Sequence, residues 1–346
     1  MSGRIRVLLV DDSAFARKVV RDVLAAESDI EVVGIARDGL EALEKIQHLK
    51  PDVVTLDLMM PELDGVGLLH AIADWPDRPH AVVVTTLDDA SEAGLAALVA
   101  GAFDLVQKPT PIASDRLYEI RPALVAAIRA AGAAPRGARK RADVAPVIVA
   151  DATRVAFDLV VIGASTGGPQ AIASLLGALP ANFPVPIGVV VHLPPGYTAG
   201  YAARLDRDSA LDVFEAREEL ELTPGRVAIA RAGMHLTLAM HRGTCRTHLS
   251  SSPIDTLHKP SVDVLFASAA AARGPRVLGV VLTGMGDDGV LGSRAIRAQG
   301  GRIIAEAEST CVVFGMPRAV IDDGLASEVV PLDGIAAAIA AAVTPG

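Results

Sequence analysis

Two groups of residues in this chain have types and spacings that could do chemistry. The first is Gly163-Ala164-Ser165-Thr166-Gly167-Gly168, which follows the apolar, strand-length run Phe157 to Ile162 and precedes a segment that reads as helix. Ser165 is therefore expected on a tight strand-to-helix turn, where free N–H groups of the following helix face whatever binds. The spacing Gly163-x-Ser165-x-Gly167 matches a nucleophile elbow. A dinucleotide-binding turn is a second reading, but Ser165 stands where that motif needs a glycine. A glycine-rich turn without chemistry is the third. A nucleophilic serine needs a histidine and a carboxylate. His192 ends the apolar run Pro186–Val191, and Asp287-Asp288 follow the run Val277–Leu282 within Thr283-Gly284-Met285-Gly286-Asp287-Asp288-Gly289. Either aspartate could cap the next helix or orient His192. The order serine, histidine, aspartate differs from that of the α/β-hydrolases, chymotrypsin and subtilisin.

The second group is a set of carboxylates with one lysine. Asp11 and Asp12 follow the run Ile5–Val10, Asp57 ends Val53–Asp57, Thr85 ends Ala81–Thr85, and Lys108-Pro109 follow Phe103–Val106. In a parallel sheet these strand ends converge on one crevice. Three carboxylates there repel unless a cation neutralises them, and an all-oxygen donor set suits magnesium. A cation beside Asp57 makes it a phosphoryl acceptor, with Lys108 stabilising the transferred charge and Thr85 offering a hydroxyl. Acidic residues at strand ends are also ordinary helix caps, a reading that fits Asp11 or Asp12 alone.

The elements that must position these groups are strands alternating with helices. Five such units between Ile5 and about Arg129, with Ile30–Ile35 as the remaining strand, predict a doubly wound, five-stranded parallel sheet. The stretch from Ala130 to Ala156, rich in alanine with Pro135 and Pro146 and a basic cluster at Arg136, Arg139, Lys140 and Arg141, reads as a connector. The second domain, from Phe157 on, reads as a mostly parallel Rossmann-like α/β sheet. Val227–Ala230, His235–Met240 and Cys245–Leu249 are expected as antiparallel additions or hairpins at one side. The boundaries are thus 1–130, 131–156 and 157–346.

Composition fits this picture. A chain of 346 residues is about two domains at roughly 150 residues each. A formal charge of −9 opposes general nucleic-acid binding. Two cysteines give no disulfide framework and suit a reducing compartment. The first apolar run is too short for a secretory signal and no span reaches transmembrane length, so a cytoplasmic location is expected.

Asp11-Asp12-Ser13, Asp57, Met60-Pro61-Glu62-Leu63-Asp64-Gly65, Thr85 and Lys108-Pro109 resemble the receiver domain of two-component response regulators. The resemblance implies Asp57 as phosphoacceptor, magnesium held by Asp11, Asp12 and Asp57, and a histidine kinase as phosphodonor. Leu105 stands where many receivers carry an aromatic residue. The whole chain resembles the chemotaxis methylesterases, the CheB family. The matching stretches are Ile162–Pro169, Val191-His192-Leu193-Pro194, Lys259–Phe266, Leu282–Gly289 and Ser309–Pro317. Ala230-Arg231-Ala232-Gly233-Met234-His235 departs from the more usual Ala-Pro-Pro-Gly-x-His. That resemblance places the triad at Ser165, His192 and Asp288, with Asp287 at a variable position. Oxyanion donors are then sought in the N–H groups near Thr166 and Met285. It implies hydrolysis of glutamate γ-methyl esters on chemoreceptors and deamidation of some receptor glutamines, without a cofactor for the esterase. It also implies inhibition by the receiver that phosphorylation relieves. Two rivals from other classes are a regulator whose second domain only binds a partner and a nucleotide-binding oxidoreductase.

Overall fold

The computed structural model describes residues 4–86, 91–109, 115–134, 147–148, 157–253 and 255–343. Two compact units divide between Lys140 and Arg141. The first unit contains β1 (Ile5–Val10), α1 (Ala14–Ala25), β2 (Ile30–Ala36), α2 (Gly39–Leu49), β3 (Val53–Leu56), α3 (Gly65–Ile72), β4 (His80–Thr86), α4 (Ser91–Val99), β5 (Asp104–Lys108) and α5 (Arg121–Ala133). Its sheet has the order β2-β1-β3-β4-β5, all parallel. The central strands read as continuous apolar runs because helices cover both faces. Val7, Leu8, Val53, Val82 and Val83 are fully buried there. Local capping starts the helices where expected: Ser13 Oγ accepts from Ala16 N, and Asp64 Oδ1 accepts from Gly67 N at 2.6 Å.

The second unit runs β6 (Val147–Ile148), β7 (Leu159–Ala164), α6 (Gly168–Gly177), β8 (Ile187–Val191), α7 (Thr198–Asp208), β9 (Asp212–Glu215), β10 (Glu221–Leu222), β11 (Arg226–Ile229), β12 (His235–His241), β13 (Thr244–Ser250), α8 (Val262–Arg273), β14 (Val277–Val281), α9 (Val290–Ala298), β15 (Arg302–Glu306), α10 (Met316–Asp322), β16 (Glu328–Val330) and α11 (Leu332–Val343). Its main sheet has the order β6-β16-β15-β14-β7-β8-β11-β9, and a smaller antiparallel sheet has the order β10-β13-β12. Only the pairing of β6 with β16 is antiparallel in the main sheet.

One reading of the sequence needs correction. The run near Val227 is not part of a hairpin. As β11 it pairs in parallel with both β8 and β9, and its apolar residues Val227, Ala228 and Ile229 are fully buried in the main sheet. Only β12 and β13 form the antiparallel hairpin. Within the connector, residues 131–156, the described stretches carry regular structure. Its first residues finish α5, and Val147–Ile148 adds an edge strand to the main sheet. The basic cluster within it lies outside the described residues.

β14, β7 and β8 form the centre of the main sheet, and every residue of all three is buried. β7 is flanked by β8 on one side and by β14 on the other, so chain order reverses about it. Such a switch point opens a crevice at the carboxyl ends of the strands. α8 packs across β7 and β12, with Leu265 and Phe266 fully buried. The approach of α8 to β7 depends on Gly163, where a Cβ would lie 2.3 Å from Val262 Cγ1. Val262 is β-branched and cannot swing clear easily. Gly163→Ala should therefore cost about 1–3 kcal/mol of stability, and Gly163→Ala with Val262→Ala should recover part of it. Denaturant melts of the two variants check this, and a single variant as stable as the parent would contradict it.

Candidate active site

Ser165 follows β7, and His192 follows β8, directly beside it. Ala164 pairs with Val191, and His192 N donates to Ala164 O at 3.2 Å. Register alone thus sets the two residues at one edge of the sheet. The turn after Ser165 closes tightly: Gly168 N donates to Ser165 O at 2.7 Å, and Gly167 adopts φ +77 as the cap of α6. A side chain at Gly167 would be strained and would strike Val312.

The third strand end completes the group. The loop after β14 presses onto Ser165, where Ser165 N donates to Thr283 O at 3.0 Å. A Cβ on Gly284 would lie 2.8 Å from Ser165 Cβ and 2.4 Å from Met316 Sδ. Thr283 locks the turn further: its Oγ1 donates to Thr166 O at 3.0 Å and accepts from Val313 N at 2.9 Å. Thr283 N donates to the fully buried carboxylate of Glu306 at 2.8 Å. Thr166 is buried and Met285 is exposed.

From that loop Asp288 reaches His192, with Oδ2 2.9 Å from Nε2. The same carboxylate accepts from Ser261 Oγ at 2.9 Å, Val262 N at 2.8 Å and Asp263 N at 3.0 Å. It therefore sits on the N-terminus of α8, where free N–H groups and the helix dipole favour an anion. Burial pushes its pKa up, but the His192 bond and the Asp263 and Val262 N–H groups outweigh burial and hold it below the usual carboxylate range. An ionised carboxylate only accepts, so Nε2 carries the proton of neutral His192. The other nitrogen, Nδ1, is buried with no hydrogen-bond partner among the described residues. It is the lone pair available as a base.

Four residues of this site were not singled out individually in the sequence. Asp263 returns the capping of Asp288, its Oδ1 accepting from Gly289 N at 2.9 Å and Gly292 N at 2.7 Å at the start of α9. Burial raises its pKa, against those N–H bonds. Glu306 ends β15, and nothing in its sequence setting marks it. His235 is fully buried and anchors the loop before α8: its Nδ1 accepts from Ser261 N at 3.2 Å and its Nε2 donates to Pro253 O at 3.0 Å. His258 stacks on His192 with ring centroids 4.0 Å apart.

The acidic group of the first unit also comes together. Ligand oxygens of Asp11, Asp12 and Asp57 all lie within 4.8 Å of one another. Lys108 Nζ bridges Asp11 Oδ2 at 2.7 Å and Asp57 Oδ2 at 3.1 Å. Burial, and Asp11 beside it, raise the pKa of Asp57, while Lys108 opposes them. One lysine leaves the three carboxylates short of positive charge, and such hard oxygen donors fit a divalent cation. Thr85 Oγ1 is buried without a partner among the described residues, as a hydroxyl awaiting an acceptor would be. Leu105 is buried in β5. A second cluster, Glu218, Glu219 and His248, is exposed, and His248 Nδ1 already pairs with both glutamates. It reads as an ion-pair network.

Residues 160–339 match the CheB methylesterase family model, and residues 7–120 match the response regulator receiver domain. A Myxococcus xanthus protein named protein-glutamate methylesterase/protein-glutamine glutaminase 5 is 54% identical over 335 residues, covering 96% of each chain. The chain belongs to the CheB methylesterase family. A Nocardioides relative named protein-glutamate methylesterase/protein-glutamine glutaminase is 44% identical, covering 95% of this chain and 92% of its own. The Thermotoga maritima CheB methylesterase catalytic domain superposes with a TM-score of 0.52 at 42% identity, covering 54% of this chain and 98% of that one. The CheB fold thus holds on both counts, as a receiver and a methylesterase domain.

Within the paired aspartates the geometry separates the roles. Asp288 holds His192 and the α8 terminus, whereas Asp287 is exposed and only its backbone carbonyl caps the next turn, accepting from Val290 N at 3.1 Å. Asp288→Asn should lower turnover by roughly 10⁴, the scale seen when a triad aspartate loses its charge. Asp287→Asn should stay within a few-fold of the parent. Ester-hydrolysis kinetics on both variants check this, and the reverse ranking would sink the assignment.

Proposed function

We propose that this chain is a phosphorylation-regulated serine esterase that hydrolyses glutamate γ-methyl esters on chemoreceptors and deamidates some receptor glutamines. The observation that carries this reading is the His192–Asp288 bond through Nε2, which leaves the buried Nδ1 as a base beside the Ser165 turn. Ser165 Oγ attacks the ester carbonyl and its proton passes to His192 Nδ1. Charge develops on the carbonyl oxygen, and the N–H groups of Thr166 and Met285 are the proposed donors to it. His192 returns the proton to the leaving oxygen, methanol departs, and Ser165 carries the acyl group. Water, deprotonated by His192, then releases the glutamate and restores the serine. An amide follows the same path with ammonia leaving. Asp288 stays ionised throughout and steadies the imidazolium.

The proposed esterase chemistry uses protein groups alone. The receiver site is proposed to hold magnesium through Asp11, Asp12 and Asp57, and the cation would neutralise charge as a phosphoryl group reaches Asp57 from a histidine kinase. Lys108 would pair with that group and Thr85 Oγ1 would bond it. Two free, buried cysteines suit the cytoplasm, where receptor glutamates would be met. Among the described residues no helix is long and apolar enough to cross a membrane.

Release of labelled methanol from methylated receptor is the direct test. The parent should release it and Ser165→Ala should not. Because triad members act as a unit, Ser165→Ala with His192→Ala should be little worse than either alone. Substantial release by Ser165→Ala would end the covalent mechanism. For regulation, a small phosphodonor with magnesium should accelerate the parent but not Asp57→Ala, and removal of residues 1–145 should raise basal release. An isolated second domain no faster than the unphosphorylated parent would refute inhibition by the receiver.

A further inference from the structure

His258 has no place in the triad, yet it lies against it. It belongs to the loop between β13 and α8, is half-buried, and stacks on His192 at 4.0 Å with an interplanar angle of 17°. That loop is fastened at several points. His235 accepts from Ser261 N and donates to Pro253 O, Ser261 Oγ donates to Asp288, and Lys259 O accepts from Gly233 N at 3.0 Å. These bonds tie the loop on both sides of the His258 ring.

A hydrogen bond through Nε2 alone leaves an imidazole free to swing about that contact. A second constraint on the ring plane is needed to keep Nδ1 aimed at the serine. A flat ring stacked on one face supplies it, and also keeps water off that face. From this geometry we infer that His258 is a positioning residue for the ester hydrolysis: its ring roofs His192, fixes the plane in which Nδ1 meets Ser165, and shields the imidazole from solvent. This rests on the triad reading above.

The charge of His258 matters to this role. Two stacked imidazolium rings would repel, so His258 must be neutral when His192 takes the serine proton. Burial, and His192 itself, hold its pKa below the ordinary histidine value, against the pull of Asp288 and Asp287. The charged groups around it are few. Asp288 is engaged with His192 and α8, Asp287 is exposed, and Lys259 directs its Nζ to Ser251 O at 3.1 Å. His235 packs behind the loop, contacts Thr256, and has its own pKa lowered by burial.

The test uses the full-length protein with a small model ester and, separately, ¹⁵N-detected titration of the His192 ring. His258→Ala should lower kcat about tenfold or more with KM nearly unchanged. It should also raise the His192 titration midpoint, as water reaches the open face. His258→Phe keeps a flat ring and should hold kcat within about threefold and the midpoint close to the parent value. His258→Gln, with a smaller planar amide, replaces it if thermal melts show that the phenyl ring does not fit. A His258→Ala enzyme with parent kcat, a change confined to KM, or failure of both planar replacements to restore kcat in folded protein would overturn the proposal. An unmoved His192 midpoint in His258→Ala would do the same without reference to activity. Turnover that survives Ser165→Ala would instead strike the triad reading, and is scored first.

Discussion

The carboxylate of Asp288 is the junction on which the second domain's site depends. A buried anion is costly unless hydrogen bonds replace its lost water. Here one carboxylate receives bonds from His192 Nε2, Ser261 Oγ and the N–H groups of Val262 and Asp263. Those donors come from the end of β8 and the start of α8, while the carboxylate belongs to the loop after β14. Satisfying one charge therefore fixes three chain segments against one another. Asp263 makes the arrangement reciprocal by capping α9, the helix that Asp288 precedes. Each helix is started by an aspartate that belongs to the other's terminus. Moving either helix alone would strip partners from both carboxylates, so the catalytic orientation inherits the rigidity of the α8–α9 packing.

The receiver unit solves the opposite electrostatic problem. There the strand ends gather three carboxylates, Lys108 pairs with two of them, and Asp57 accepts one backbone hydrogen bond, from Leu58 N, among the described residues. The excess negative charge makes the site receptive to a cation, and burial, with a smaller contribution from Asp11, raises the pKa of Asp57 against the pull of Lys108. One domain surrounds its carboxylate with hydrogen-bond donors. The other leaves its carboxylates under-compensated. The contrast follows from what each sheet edge places opposite the acid.

Much of this placement was legible in the chain because the candidate residues sit at strand ends. Ser165, His192, Asp288, Asp57, Thr85 and Lys108 each follow or end an apolar run, and parallel pairing brings such ends together without further information. The capping partners were harder to see. Ser261 and Asp263 look like ordinary N-terminal residues of a helix, and only the packing of α8 on α9 turns them into ligands of the site. Glu306 ends a strand that had not been marked as part of the sheet. β11 was misassigned because its four residues resemble a hairpin arm, and only the sheet order shows that Val227, Ala228 and Ile229 are buried in the main sheet. His258 left no periodic signal at all, since stacking is a contact between two loops distant in sequence.

The order of these residues along the chain follows from the same topology. Ser165 follows the central strand β7, and the residues set beside it come from the ends of the two neighbouring strands. β8 is next in sequence and β14 is far downstream, which gives serine, histidine, aspartate. The strand geometry also decides which imidazole nitrogen does which task. His192 lies beside Ser165, with its backbone N–H tied to Ala164 O, while Asp288 approaches from across β7 on the α8 terminus. With Nε2 turned to the carboxylate, Nδ1 is left without a hydrogen-bond partner among the described residues. The neighbouring strands thus determine which imidazole nitrogen faces the acid.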